Sequence, residues 1–347
     1  MYFIIYFFNF INYTNAYLRT NRICSKTLFA SPSYDQPKWN LIGKSLKTKA
    51  REWFVNRAEM RGIKWGETSN FYKTNSNLLM QWKAKNTNIS IEYPSYFIKP
   101  FHGYDEGNMN WDAAYEGEAA TLSMSANYWK DVPPDLSVTW LRGNITENVD
   151  NYISKYQNIN LFEFTPLKFT FSSDEYYFDD KILDIGCSFG ICTELLQNHY
   201  KDSLVTGIDL SPYFLAIASF RNNISSSNIT YIHANAEHIP FEDESYDKTF
   251  IQYMFHEMPK KAIENVIAET YRTLKPGGII TIVDLEPKNL NEHLSINIFR
   301  KWAFEVTEPH IFEYYKTNMT DILLNFGFRN IECKKNDPLN TIIIAQK

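Results

Sequence analysis

The chain has 347 residues, 44 % of them hydrophobic and 22 % charged, with a formal net charge of -5. That length suits two domains, or one with a large extension, and leaves ample core. A mildly acidic chain argues against a nucleic-acid backbone as partner. The four cysteines (Cys24, Cys187, Cys192, Cys333) lack any Cys/His ligand spacing, so no metal site is expected and they read as reduced thiols.

"MYFIIYFFNFINYTNA" starts as an apolar run and turns mixed. It is too short and Asn-rich for a good membrane span and resembles a signal-peptide core without its basic flank. The next stretch carries Arg19, Arg22 and Lys26, several Ser and Thr, and no acid before Asp35. Basic, hydroxyl-rich and acid-free is the composition of a transit peptide. Residues 1–34 are therefore expected to be a two-part targeting segment for a plastid-type organelle. A mitochondrial address, a membrane anchor or an unstructured start of a cytoplasmic protein are the other readings.

Residues 35–160 read as a helical domain. Leu41, Ile42, Leu46, Ala50, Trp53, Phe54 and Ala58 recur at the spacing of one buried helix face, and Gly62 is a natural stop. A second helix is predicted from Asn70 to Lys85. Pro94, Pro100, Gly103 and Gly107 break the following stretch into turns. A third helix is predicted from about Asn108 to Tyr128. Its start is crowded with Tyr104, Asp105, Glu106, Trp111, Asp112, Tyr115 and Glu116. Two roles stay open: acids that offset the helix dipole, or a pocket in which Tyr104, Asp105 and Trp111 meet a substrate. "DVPPDLS" reads as a connector, followed by a helix from about Thr146 to Tyr156.

Residues 161–347 alternate strand and helix. Strands are expected at "KILDI", "LVTGID", "ITYIHAN", "YDKTFIQYMF" and "IITIVDL", with helices between them and Ser211–Pro212 as the cap and first position of one. The last two strands, "FRNIECKK" and "NTIIIAQ", have no helix between them and should form an antiparallel hairpin at one edge. The expected fold is α/β, a doubly wound, seven-stranded, mostly parallel sheet with an N-terminal helical extension. Ligands then bind beyond the carboxyl ends of the strands.

"DIGCSFG" places Gly186 and Gly190 four apart, with Cys187 and Ser188 between them. The middle glycine of a dinucleotide site is absent, and no phosphate-binding G-x-x-x-x-G-K-[ST] occurs. Asp184 at the start of the turn disfavours a diphosphate and favours a ligand with positive charge. Asp209 ends the second strand, where a carboxylate can accept from a ribose diol. Asn235 and the Ala236 N–H suit an adenine edge. These groups account for an amino-acid moiety, a ribose and an adenine, with no phosphate.

"ILDIGCSFG", "GIDLSPYFL", "HANAEHIPFEDESYD" and "LKPGG" resemble, in order, the motifs of class I S-adenosylmethionine-dependent methyltransferases, most of all the ubiquinone/menaquinone C-methyltransferase branch. Asn235 departs from the Asp often found at that position. "REWFVNRAEMRGIKW", "YFIKPFHGYDEGNMNWDAAYEGEAATLSM", "LRGNI", "HEMP" and "TEPHIFEYY" resemble a group of plant and algal plastid-type methyltransferases with no firmly assigned substrate. The resemblance implies S-adenosyl-L-methionine as cofactor, held by Asp184, Gly186, Cys187, Ser188, Gly190, Asp209, Leu210, Asn235 and Ala236. It also implies a helical lid over residues 35–160.

His256, just past the fourth strand, is the candidate base, with Glu257 to orient it or meet the substrate. His256 as a packed loop residue and Glu257 as a helix cap are the plainer roles. His102, Tyr104, Asp105 and His310 are further candidates, whereas His233 and His238 are expected to be structural. The expected function is methyl transfer to a small or lipid-like acceptor. Protein or peptide methylation, and an inactive cofactor-binding assembly factor, are the alternatives. Oligomeric state is not legible.

Overall fold

The computed structural model describes residues 44–126, 131–156, 180–286, 308–337 and 340–347. The predicted targeting segment lies outside them. Five helices come first: α1 (Lys44–Met60), α2 (Trp65–Thr74), α3 (Ser76–Asn86), α4 (Trp111–Ala126) and α5 (Pro134–Tyr156). Then follow β1 (Lys181–Ile185), α6 (Ile191–His199), β2 (Leu204–Asp209), α7 (Pro212–Ser225), β3 (Thr230–His233), β4 (Tyr246–Gln252), a 3₁₀ turn (Phe255–Glu257), α8 (Lys260–Thr273) and β5 (Leu274–Leu285). Helices α9 (Ile311–Tyr315) and α10 (Met319–Asn325) precede β6 (Arg329–Lys335) and β7 (Asn340–Gln346).

The seven strands run in the order β3-β2-β1-β4-β5-β7-β6. The first five are parallel, and β7 pairs antiparallel with both β5 and β6. This is the doubly wound sheet and terminal hairpin that the sequence predicts. Parallel strands covered on both faces read as continuous apolar runs. In β1, Ile182 points to one face and Leu183 and Ile185 to the other, all at 0 % exposure. Burying each contributes about 1.5–3 kcal/mol.

Ile145, Val149, Tyr152 and Ile153 of α5 join Leu196 of α6 in the core on the first face, against Ile182, Phe250, Val283 and Ile344. Helices α8, α9 and α10 close the opposite face. The carboxyl half of α5 is thus a layer of the sheet domain. The expected division at residue 160 lies outside the described residues.

Three local expectations change. The helix expected from Asn70 to Lys85 is two helices, broken at Asn75, whose Nδ2 donates back to the Phe71 carbonyl (2.8 Å). The expected third helix starts at Trp111, where Asn110 Oδ1 accepts from the Ala113 N–H (2.8 Å) as a cap. The expected connector "DVPPDLS" instead opens α5 at Pro134. Proline has no N–H to lose in a helix's first turn, and its φ is already helical. Between α3 and α4, Phe101 and Tyr104 exchange backbone bonds (3.1 and 2.9 Å) around His102 and Gly103, both at positive φ. That is the two-residue turn that favours glycine.

Candidate functional site

The loops beyond β1, β2, β3 and β4 open into one cavity of about 290 Å³, roofed by α1, α4, α5 and the stretch Tyr96–Asn108. Gly186 and Gly190 bracket the turn after β1 at φ +73° and +80°. A Cβ on Gly186 would lie 2.7 Å from Met254 Sδ, and one on Gly190 would overlap the Tyr231 hydroxyl. Both positions need glycine for conformation and for space. Gly190 then caps α6.

Asp209, at the end of β2, accepts from the Ser188 N–H (2.9 Å) on Oδ2 and from the Ser211 N–H (2.7 Å) on Oδ1. These bonds order the glycine turn and the start of α7 around one carboxylate. Each oxygen keeps a lone pair for a diol. Burial pushes the Asp209 carboxyl up to about 6, against the lowering effect of those two N–H groups. Ser211 Oγ, the α7 cap, donates to the Asn108 carbonyl (2.6 Å) and so ties the roof to this loop. After β3, Asn235 lines the cavity and its Oδ1 accepts from the Glu237 N–H (2.9 Å).

Gly186, Cys187, Ser188, Asp209, Leu210, Asn235, Ala236, Tyr104, His102, His256 and Glu257 all line this cavity. The structure therefore brings together most of the residues singled out in the sequence. The others stand off the cavity wall. Asp184 is buried beneath the turn and accepts from Thr193 Oγ1 (2.7 Å). Burial pushes its carboxyl up to about 7, opposed by the Thr193 bond and the Arg142 charge. Gly190 lies behind the turn against Tyr231. Asp105 is exposed, and Trp111 stacks on Tyr115 (5.4 Å) and meets Tyr213 edge-on. His310 packs edge-on to Tyr96. His233 is buried between the Asn88 N–H and the Leu210 carbonyl, a structural role, and His238 is exposed.

At the β4 end, His256 is 3 % exposed and its Nδ1 lies 2.6 Å from Asp284 Oδ1. Its Nε2 is 3.9 Å from Glu257 Oε1, which in turn is 3.1 Å from His102 Nε2. Burial alone would lower the His256 pKa, but Asp284, Glu257 and Glu308 outweigh it and push the ring up to about 9. Burial pushes Glu257 up to about 7, opposed by His256. Burial drives His102 down to about 3, so it is neutral. The cavity is also lined by Phe54, Trp65, Phe101, Met124 and Phe189.

Three residues were missed from sequence: Asp284, Arg142 and Gln252. Asp284 sits near the carboxyl end of β5, where the strand rule would have found it. Gln252 ends β4 and is legible in the same way. Arg142 on α5 is marked by no local signal. A further long-range contact joins the roof to the glycine turn. The Phe189 ring lies on the Gly117 backbone of α4, where any Cβ would overlap it.

The donor set fits a phosphate-free nucleoside with an amino-acid tail. Asp209 and Asn235 line the cavity beyond β2 and β3, where a carboxylate suits a ribose diol and an amide suits an adenine edge. The strand order and the glycine turn after β1 match the Rossmann-like fold of class I S-adenosylmethionine-dependent methyltransferases. Residues 182–278 match the family model described as "Methyltransferase domain". Over 110 residues the chain is 34 % identical to an uncharacterized methyltransferase of Synechocystis sp., covering 31 % of this chain and 49 % of that protein. Over 129 residues it is 32 % identical to the ubiquinone/menaquinone biosynthesis C-methyltransferase of Bartonella quintana, covering 36 % of this chain and 48 % of that protein. The chain thus spans about half the length of these curated relatives. A solved S-adenosylmethionine-dependent methyltransferase of Methanosarcina mazei is 25 % identical, covers 49 % of this chain and 92 % of that one, and superposes with a TM-score of 0.39.

Proposed function

We propose that this chain transfers a methyl group from S-adenosyl-L-methionine to a small or lipid-like acceptor held in the aromatic end of the cavity. The supporting observation is that one cavity is lined by Asp209 and Asn235, by Glu257 and His256, and by the aromatic side chains Phe54, Trp65, Phe101 and Phe189. When bound, the cofactor supplies a methyl group already activated on a sulfonium. The chain's own task is to orient and shield. Asp209 holds the ribose, and Asn235 with the Ala236 N–H holds the adenine. Phe54, Trp65, Phe101 and Phe189 exclude water and fix the acceptor, and such orientation supplies several kcal/mol of barrier lowering.

An acceptor atom that must lose a proton needs a base. Asp284 raises the pKa of His256, the residue expected from sequence, which favours its charged form and weakens it as a base at neutral pH. Glu257, raised to about 7 by burial, takes the proton instead, with His102 and His256 fixing its carboxyl. The relative named for ubiquinone/menaquinone biosynthesis supports a lipid-like acceptor.

Labelled methyl incorporation from tritiated cofactor into an organelle extract, sorted into lipid, small-molecule and protein fractions, tests this reading. Counts in the lipid or small-molecule fraction support it. Counts in protein alone would replace it with protein methylation. We further propose that residues 1–34 address the protein to a plastid-type organelle. Fusion of that segment to a fluorescent protein tests it, and a diffuse cytoplasmic signal would overturn it.

A further inference from the structure

Arg142 is 8 % exposed and lies on α5, in the roof of the cavity. Its Nη1 donates to Gln252 Oε1 (2.8 Å) and also meets Cys192 Sγ. Its guanidinium lies 5.4 Å from the centre of the Tyr253 ring. Its Nε is buried without a hydrogen-bond partner among the described residues, and no carboxylate is paired with it there. Asp184 feels its field, but that carboxyl is bound to Thr193 beneath the turn. A buried guanidinium held only by an amide oxygen, a thiol and a ring face is under-compensated. It lines the cavity, so a ligand anion can reach it.

The strand order says which part of the ligand that is. Running β3, β2, β1, β4 across the sheet, the cavity presents Asn235, then Asp209, then Gly186, then Gln252. Adenine over β3 and ribose over β2 leave the amino-acid tail over β1 and β4. Arg142 is anchored there, through Gln252 at the end of β4 and Cys192 in the first turn of α6.

We propose that Arg142 is the anion-binding residue of the site and pairs with the α-carboxylate of the cofactor's amino-acid tail. This rests on the methyltransferase reading and deepens it. It makes the helical half of the chain part of the cofactor site. Helix α5 both packs on the sheet and supplies the charge that the tail needs, and a planar guanidinium suits a two-point bond to a carboxylate.

Calorimetry on the full chain tests the assignment with two ligands. S-adenosylhomocysteine carries the carboxylate. S-adenosyl-3-thiopropylamine keeps the nucleoside, the sulfur and the amine but lacks it. Arg142→Met is expected to weaken S-adenosylhomocysteine about 30-fold or more, as when one partner of a buried charge pair is removed. The decarboxylated ligand should change by less than about threefold, because it never made the pair. Arg142→Lys, which keeps the charge on a flexible stem, should recover part of the loss for S-adenosylhomocysteine alone. Equal losses for both ligands in both variants would show a structural role and overturn the assignment. Unchanged S-adenosylhomocysteine affinity in Arg142→Met would overturn it too, and would move the charge to an acidic acceptor. Failure of the wild-type chain to bind S-adenosylhomocysteine would overturn the methyltransferase reading itself.

Discussion

The two ends of the cavity are built in different ways. At the β2–β3 end, Asp209 and Asn235 each sit at or just past the end of a strand and accept from a backbone N–H two residues on, Asp209 also accepting from Ser188. Asp209 is bonded by the Ser211 N–H and Asn235 by the Glu237 N–H. At the β4 end the groups come from distant segments. His256 is held by Asp284, Glu257 by His102, and Gln252 by Arg142. The first end rests largely on local contacts, and the second is assembled by tertiary packing.

The largest expected effect falls on the assembled end. The His256 ring should titrate near 9, raised from the ordinary 6.5. A raised histidine pKa stabilises the fold fully below 6.5, and that contribution is lost as pH rises through 9. In Asp284→Asn the ring titration should drop by more than about two units, since the main opposing charge to burial is gone. NMR of the ring measures it, and an unshifted ring would mean that Asp284 does not set its charge.

Asp209→Ala should cost about 1.5–3 kcal/mol in S-adenosylhomocysteine affinity by calorimetry, because a charged acceptor is removed. Undiminished affinity would break the ribose assignment and with it the contrast between the two ends.

Gly117→Leu should destabilise the chain by about 1–3 kcal/mol in urea unfolding, since its side chain must displace the Phe189 ring. Adding Phe189→Ala should recover most of that loss, and simple additivity would show that the two do not couple.

The smallest effect is in pH. S-adenosylhomocysteine affinity should fall as pH drops below about 6, where Asp209 protonates, by at most about tenfold per unit. Asp209→Asn should abolish that slope. A slope that persists in this variant would assign it to another group.

Much of this was legible before the structure. An apolar run ended by an acid and a glycine reads as a parallel strand and its loop, since such strands are covered on both faces. Ser211–Pro212 read as a helix start because its cap is made within three residues. Pro134 misled: a proline pair is as good a connector as a first helical turn, and only packing on the sheet decides. The packing of α5 on the sheet was not legible, because nothing in the pattern of Ile145, Val149 and Tyr152 tells which surface those residues will cover.

The amino-acid sequence by itself determined the doubly wound sheet, the glycine turn and the nucleoside-facing groups. Each depends on periodicity or on contacts within a few residues. Tertiary structure decided the rest: that His256 meets Asp284, that Glu257 meets His102, and that Arg142 is bonded to Gln252 at the end of β4. Those properties depend on burial and on partners 28 to 155 residues away, and burial and long-range charge leave no trace in local spacing.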